Sequence, residues 1–516
     1  MAPSSDSAAA EPAARTYSPG EIRIVISGVL LGMFLAALDQ TIVATALPAI
    51  GGELKALDRV SWLVSAYLLT STASTPIYGK LSDLYGRRVV MQAALGLFVL
   101  ASLLCGLAQG MTELILARAL QGLGGGGLMS LAQTTVADVV SPRERGRYQG
   151  YFIVNWALAS VGGPVVGGLF VDYLDWRWVF WINLPIGLIA LLLCNLALRT
   201  LPVRKLKRPI DYGGALLLTG SVTTLLLVAS WGGTELAWSS PELILLAAAG
   251  GVLALLLVLQ ELRAPEPMIP PRLFRSRQFR RTQLLNVLMA MAYLDLVVYL
   301  PLFLQLVLGM SAGGSGLLIV PLVFGTAIGA VSSGQITTHT GRYKWIAISG
   351  MALALVASLL IAGLGRGSSD SNAILIFALF GLGIGAVMPV TLVAVQNAAP
   401  PGDIGAGTSS IAFFRSLGAS FSIALLGSVL IAAVNSRLAG GAAPVDMAFL
   451  RGGAAAIATL PESSRESLVA ALETAFFPLF AINAAIVACG LVAALGLPEV
   501  PLRSGAVRKP GTAAAD

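Results

Sequence analysis

Four ionisable residues stand inside long apolar runs: Asp39, Arg118, Asp295 and Arg415. A charge held in hydrocarbon needs a counter-charge, a polar partner, a watery cavity or a proton. Asp39 is therefore a candidate proton or cation site, or else a hydrogen-bonded carboxylate that joins helices. Asp295 has the same two readings, with Tyr293, Tyr299 and Gln305 nearby as polar or aromatic lining. If both carboxylates face one cavity, one can exchange a proton while the other attracts a cationic substrate. Arg118 needs a carboxylate, a backbone carbonyl or water as partner, or serves as a structural anchor, and Arg415 poses the same question in the second half of the chain.

Two further clusters are conformational rather than chemical. Gly79, Lys80, Asp83, Gly86, Arg87 and Arg88 form a short loop between apolar runs, where the glycines permit turns. A carboxylate among arginines can pair with them and with helix ends, latching one face of the molecule. Gly162, Gly163, Pro164, Gly167 and Gly168 allow close helix approach and a kink. His339 is expected to be an exposed loop histidine.

The elements that must position these residues are membrane spans. The chain is 56% hydrophobic and only 11% charged, with mean hydropathy +0.83, far from the composition of a soluble globular domain. Apolar runs of helix-spanning length recur, and they lack the alternation of barrel strands. The reading is an all-α integral membrane protein with about 14 transmembrane helices. Most of the 33 Lys and Arg residues fall in loops on the N-terminal side, so both termini are expected to be cytoplasmic. This accounts for the net charge of +7 as topology, without nucleic-acid binding. The expected divisions are a disordered cytoplasmic tail over 1–20, a six-helix bundle over 21–199, two inserted helices over 200–270, a second six-helix bundle over 271–498 and a cytoplasmic tail over 499–516. The second bundle includes an extracytoplasmic loop, 435–473, read as a tolerated insertion carrying a short amphipathic helix at its end.

Enzyme chemistry finds no support. There is one His, the three Cys lie unpaired in apolar runs, and no glycine-rich phosphate loop with a Lys occurs. No metal, cofactor or catalytic residue is expected, and the absence of nucleotide-binding motifs favours an ion gradient as the energy source.

Several patterns recur at a nearly constant offset. GKLSDLYGR at 79–87 returns as GQITTHTGR at 334–342, Asp39 returns as Asp295, and Gly122, Gly124, Gly126 and Met129 return as Gly381, Gly383, Gly385 and Met388. The offsets of 255, 256 and 259 residues indicate two like-oriented six-helix repeats that rock about a midplane site. The copies differ in charge, with Thr338 standing at the place of Asp83 and Phe377 at that of Arg118.

These blocks carry a resemblance. GKLSDLYGRR, LDQTIVATALP at 38–48, RALQGLGGGG at 118–127, GGPVVGG at 162–168 and WRWVFWINLPIG at 176–187 together resemble the major facilitator superfamily. Within it they are similar to the fourteen-helix drug:proton antiporters of the QacA/EmrB type. The resemblance implies a major facilitator-like fold of two six-helix bundles plus two inserted helices, proton-coupled multidrug efflux by alternating access, and a monomer in a bacterial cytoplasmic (inner) membrane. It ties Arg118 to proton transfer, the 79–88 loop to gating and 162–168 to antiport. The implied partners are protons, a small amphipathic or cationic substrate, membrane lipid and a periplasmic adaptor protein. A lipid or metabolite exporter on the same fold is the alternative, followed by a non-transporting receptor or scaffold.

Overall fold

The computed structural model describes residues 18–56, 59–141, 144–200, 209–233, 236–364, 370–438 and 462–502. Among them are fourteen long helices: α1 Pro19–Glu53, α2 Ser61–Tyr85, α3 Arg87–Leu107, α4 Met111–Val139, α5 Arg145–Tyr173 and α6 Trp178–Ala197. Then come α7 Tyr212–Trp231, α8 Pro241–Arg263, α9 Arg277–Leu306, α10 Ala312–Thr340, α11 Lys344–Ala362, α12 Asp370–Ala398, α13 Ile404–Asn435 and α14 Glu462–Leu495. Local chemistry sets several starts. Ser18 accepts from Glu21 N while its own N–H donates to the Glu21 carboxylate, with Pro19 at the first helical position. Ser240, Ser276 and Ser311 cap α8, α9 and α10 in the same way from their side chains.

Thirteen of these helices are long and apolar enough to cross a membrane. The exception, α2, is long enough but rich in Ser and Thr. Its hydroxyls bond to carbonyls of their own turn and of α4: Thr75 donates to Ser71 O and Gly126 O, and Ser74 to Leu123 O. These bonds hide the polar groups in a helix–helix contact, so α2 spans despite its composition.

Helices α1–α6 form one bundle and α9–α14 the other, each around its own apolar core. The inserted pair α7–α8 packs on itself, with α7 also touching α2 and α13. The chain ends share one face. Ile22 packs in the cluster that holds Val140 and Leu198, and Val500 N donates to Tyr343 Oη in the turn before α11. This is the face of the Lys/Arg-rich connections, called the basic face below.

The repeat is visible in the packing. Gly86 and Gly341, equivalent by offset, both have positive φ (88° and 68°) and turn the chain between paired helices. A methyl group at Gly122 or Gly126 would overlap α2, and one at Gly124 would overlap α3. At Gly381 and Gly385 it would overlap α10, and at Gly383 α11. The glycine runs are thus helix-crossing surfaces, duplicated together with the partners they fit. One expectation shifts: ESSRESLVAALETAFF does not form a separate short helix but is the first part of α14. The 439–461 part of the predicted loop, the 503–516 tail and nearly all of the 1–20 tail lie outside the described residues.

Candidate functional site

Asp39 lies in mid-α1 with 0% exposure. Its Oδ2 accepts from Arg118 Nη1 at 2.6 Å, and its Oδ1 accepts from Gln121 Nε2 and Asn183 Nδ2, both at 2.8 Å. Arg118, 2% exposed, also donates to Gln121 Oε1 at 2.7 Å and to Leu63 O at 3.2 Å, and its guanidinium carbon lies 4.4 Å from the Tyr67 ring centroid. Ser102 completes the network, accepting from Gln121 and Asn183 and donating to Phe180 O. Both charges are compensated within one bundle, so Asp39 is held as half of an ion pair rather than presented to a cavity.

Asp295, its repeat counterpart in α9, is also 0% exposed but differently placed. Its Oδ2 accepts from Ser422 Oγ of α13 at 2.7 Å, and no geometric hydrogen bond reaches Oδ1 among the described residues. No basic group pairs with it there. The asymmetry follows from sequence: Phe377, which replaces the arginine in the second copy, is buried in the apolar core of that bundle. Two predicted neighbours prove structural. Tyr299 is buried and donates to Ile423 O, and Gln305 donates to Ser315 Oγ at 2.9 Å. Each of the two carboxylates is enclosed in its own bundle.

The residues read as a loop lie instead in the last turns of α2 and the first turn of α3, with only Gly86 between the helices, and several of them reach the second bundle. Asp83 accepts from Gly405 N at 3.1 Å and Ala406 N at 3.0 Å, the first turn of α13, and pairs with Arg87 at 2.7 Å. A carboxylate there satisfies free N–H groups and complements the helix dipole. Arg87 continues to Asp138 at 2.7 Å, while Arg88 bonds Asn195 and stays within the first bundle. Gly79 lies so close to α13 that a methyl group would overlap Ser409 and Gly405 O, and Gly334 stands likewise against Gly146 O of α5. Both crossings lie near the basic ends of their helices, so the bundles are sealed together on that face. Thr338, lacking a carboxylate, repeats the crossing without the charged cap.

A strap absent from the sequence reading completes the seal. After α8 the chain runs past Glu266, which pairs with Lys80 at 2.6 Å; the two side chains are 11% and 3% exposed. Met268 is buried in a cluster with Leu69 and Ala73 of α2, Val222 of α7 and Phe413 of α13. Arg272 then forms a bidentate bond to Asp403 at 2.7 and 2.8 Å. That bond to Asp403 pushes the Arg272 guanidinium, outside the spans, still further above its ordinary pKa. The sequence signal was an acidic residue beside prolines in a linker, which says nothing of its partner.

The α5 glycines divide. A methyl at Gly163 would overlap Thr41, and one at Gly167 would overlap Thr45 and crowd Ile42 O, whereas nothing lies within 4 Å at Gly162 or Gly168. Residues four apart share a helix face, so only Gly163 and Gly167, flanking Pro164, make the α1–α5 crossing. Arg415, in mid-α13, is half-buried and has no hydrogen-bond or ion-pair partner among the described residues. His339 is exposed near the end of α10. Gln121 and Asn183 were missed as site residues. Gln121 stands three positions after Arg118, a spacing that places both on one helix face, but Asn183 offered no such signal.

Two duplicated helical bundles with charged groups in mid-span and one face sealed between them define a membrane transporter. The chain belongs to the Major Facilitator Superfamily, whose sequence profile matches residues 29–423. It is 39% identical over 417 residues to the multidrug transporter protein MdtP of Bacillus subtilis (strain 168), covering 80% of this chain and 76% of that protein. It is 33% identical over 424 residues to multidrug resistance protein 3 of the same organism, covering 82% of each. Among solved structures, the human organic anion transporter MFSD10 (TETRAN) shares the fold with a TM-score of 0.63 at 18% identity, over 92% of this chain and all of that one.

Proposed function

We propose that the chain exports small amphipathic molecules in exchange for protons, by alternating access. The export reading draws on relatives named as multidrug transporters. The coupling reading rests on one observation, the contrast between the repeat-related carboxylates. Protonating Asp39 would break a buried ion pair, whereas protonating Asp295 breaks none, because its side-chain partners, Ser422 and Asn483, carry no charge. Asp295 is therefore the carboxyl that exchanges the proton, and Asp39 with Arg118 is a fixed element that positions α1 against α4 and α6. Helix α13 connects proton site to gate. Ser422 touches Asp295, and sixteen residues earlier, about 24 Å along the helix, Ala406 is capped by Asp83.

The basic face is the cytoplasmic one by the positive-inside rule, in a bacterial cytoplasmic membrane. In the closed form described, Asp83, Lys80 and the glycine crossings hold the cytoplasmic side shut. Substrate leaves on the outer side as Asp295 takes up a proton there, the α9–α13 contact changes, and the bundles rock to expose the interior to the cytoplasm. Proton release inside and binding of a new substrate return the protein to the closed form. The test is efflux of a fluorescent amphipathic dye from cells expressing the protein, with and without a protonophore, beside Asp295→Asn. Uncoupler-sensitive efflux that is lost in the variant supports the reading; efflux indifferent to both sinks it.

A further inference from the structure

Resting on the exporter reading above, we infer that Arg415 is an anion-binding subsite, which takes the carboxylate, sulfonate or phosphate group of an amphipathic substrate. Of the two arginines far from any helix end, Arg118 is fully compensated by Asp39, Gln121 and Leu63 O. Arg415 has no acceptor at all among the described residues. It stands eleven residues into α13, about 16 Å along the helix, just beyond the Gly79–Ser409 crossing that seals the basic face. An uncompensated guanidinium at that depth is costly, and the cost is offset when a ligand brings the missing negative charge.

The helix register places it on the inner side. Residues 411, 415, 418 and 422 form one stripe. Ile411 O accepts from Asn286, Gly418 abuts Val287 and Met291, and Ser422 bonds Asp295, all on α9. Phe421, about 100° around the helix from Ser422, is exposed. At Gly418, about one turn further along the same stripe, the half-buried Val287 and Met291 offer apolar surface for the rest of an amphiphile. Charge balance argues the same way: Asp39 is neutralised by Arg118 and Asp295 is enclosed, so neither carboxylate is presented to a cationic group. The geometry therefore favours an anionic head, against the cationic substrate expected from sequence. A free organic anion and an anionic lipid headgroup share this chemistry.

The test compares a dansyl-tagged medium-chain carboxylate with its neutral methyl ester, using the full chain. In efflux from cells, wild type is expected to prefer the carboxylate, and Arg415→Gln to lower the carboxylate-to-ester ratio at least tenfold, while Arg415→Lys retains most of the preference. An unchanged ratio in Arg415→Gln overturns the inference. Export of the ester but not the carboxylate by wild type overturns it too and leaves the exporter reading intact; loss of all dye export defeats the exporter reading instead. Purified wild type settles binding even if the variant fails to fold: the carboxylate is expected to raise its melting temperature and the ester not, and equal shifts count against the subsite. In proteoliposomes, Arg415-dependent movement of labelled phosphatidylglycerol without carboxylate transport would identify the anion as a lipid headgroup.

Discussion

The Lys80–Glu266 pair gives the sharpest quantitative expectation. Its side chains are almost wholly buried and 2.6 Å apart, and it ties the first bundle to the strap, whose Arg272 holds Asp403 beside the start of α13. Opening the basic face must separate Gly79 from Ser409 and Gly334 from Gly146, and the strap's anchors must part with them. Contacting charges of this kind typically couple by about 2 kcal/mol. If the pair forms only in the closed state, losing it shifts the closed-to-open ratio by about thirtyfold, since 1.4 kcal/mol is a factor of ten. Spin labels at Arg147→Cys and Thr340→Cys, both exposed at the basic ends of α5 and α10, report the opening as a distance distribution once the exposed Cys489 is replaced by serine. Lys80→Met and Glu266→Gln should each populate a longer distance, and the charge-swapped double variant Lys80→Glu/Glu266→Lys should recover part of the closed population. Unchanged distances in both single variants, or a swap no better than either, would refute the latch.

Other expectations follow from the same contacts. Gly163→Ala should destabilise the purified protein by about 1–3 kcal/mol through overlap with Thr41, whereas Gly162→Ala should be neutral or slightly stabilising; melting temperatures in detergent distinguish them. Gly79→Val should prevent closure of the basic face, lengthening the same spin-label distance and abolishing efflux while surface expression persists. Asp39→Asn should cost about 3 kcal/mol by leaving Arg118 without its counter-charge. The double variant Asp39→Asn/Arg118→Gln should recover most of that stability, and a thermal-shift series showing no recovery would mean that the pair acts through something other than charge.

Much of the fold was legible because its signals are local or periodic. Apolar length, the distribution of Lys and Arg, and glycines repeated at a fixed offset each survive without knowledge of contacts. The glycine run of α4 was read as half of a duplication, and its packing against α2 and α3 matches that of α12 against α10 and α11. What stayed hidden depends on partners far apart in sequence. Asp39 was singled out as a charge needing a partner, but Asn183, 144 residues away, carried no pattern to link them. The strap residue Glu266 lies 186 residues from Lys80 and was equally invisible. Tyr299 and Gln305 were read as cavity lining because they are polar residues in an apolar run. Their hydrogen bonds instead close within the second bundle, where unpaired polar groups are costly. The four glycines and the proline of GGPVVGG looked like one unit, yet helical geometry turns only Gly163 and Gly167 toward α1.

The most direct test of the central claim is proton movement in proteoliposomes containing only this protein and an internal pH-sensitive dye. Adding a transported amphipathic substrate is expected to drive proton counterflow that disappears in Asp295→Asn. Substrate transport that proceeds in wild type with no accompanying proton movement would contradict the account.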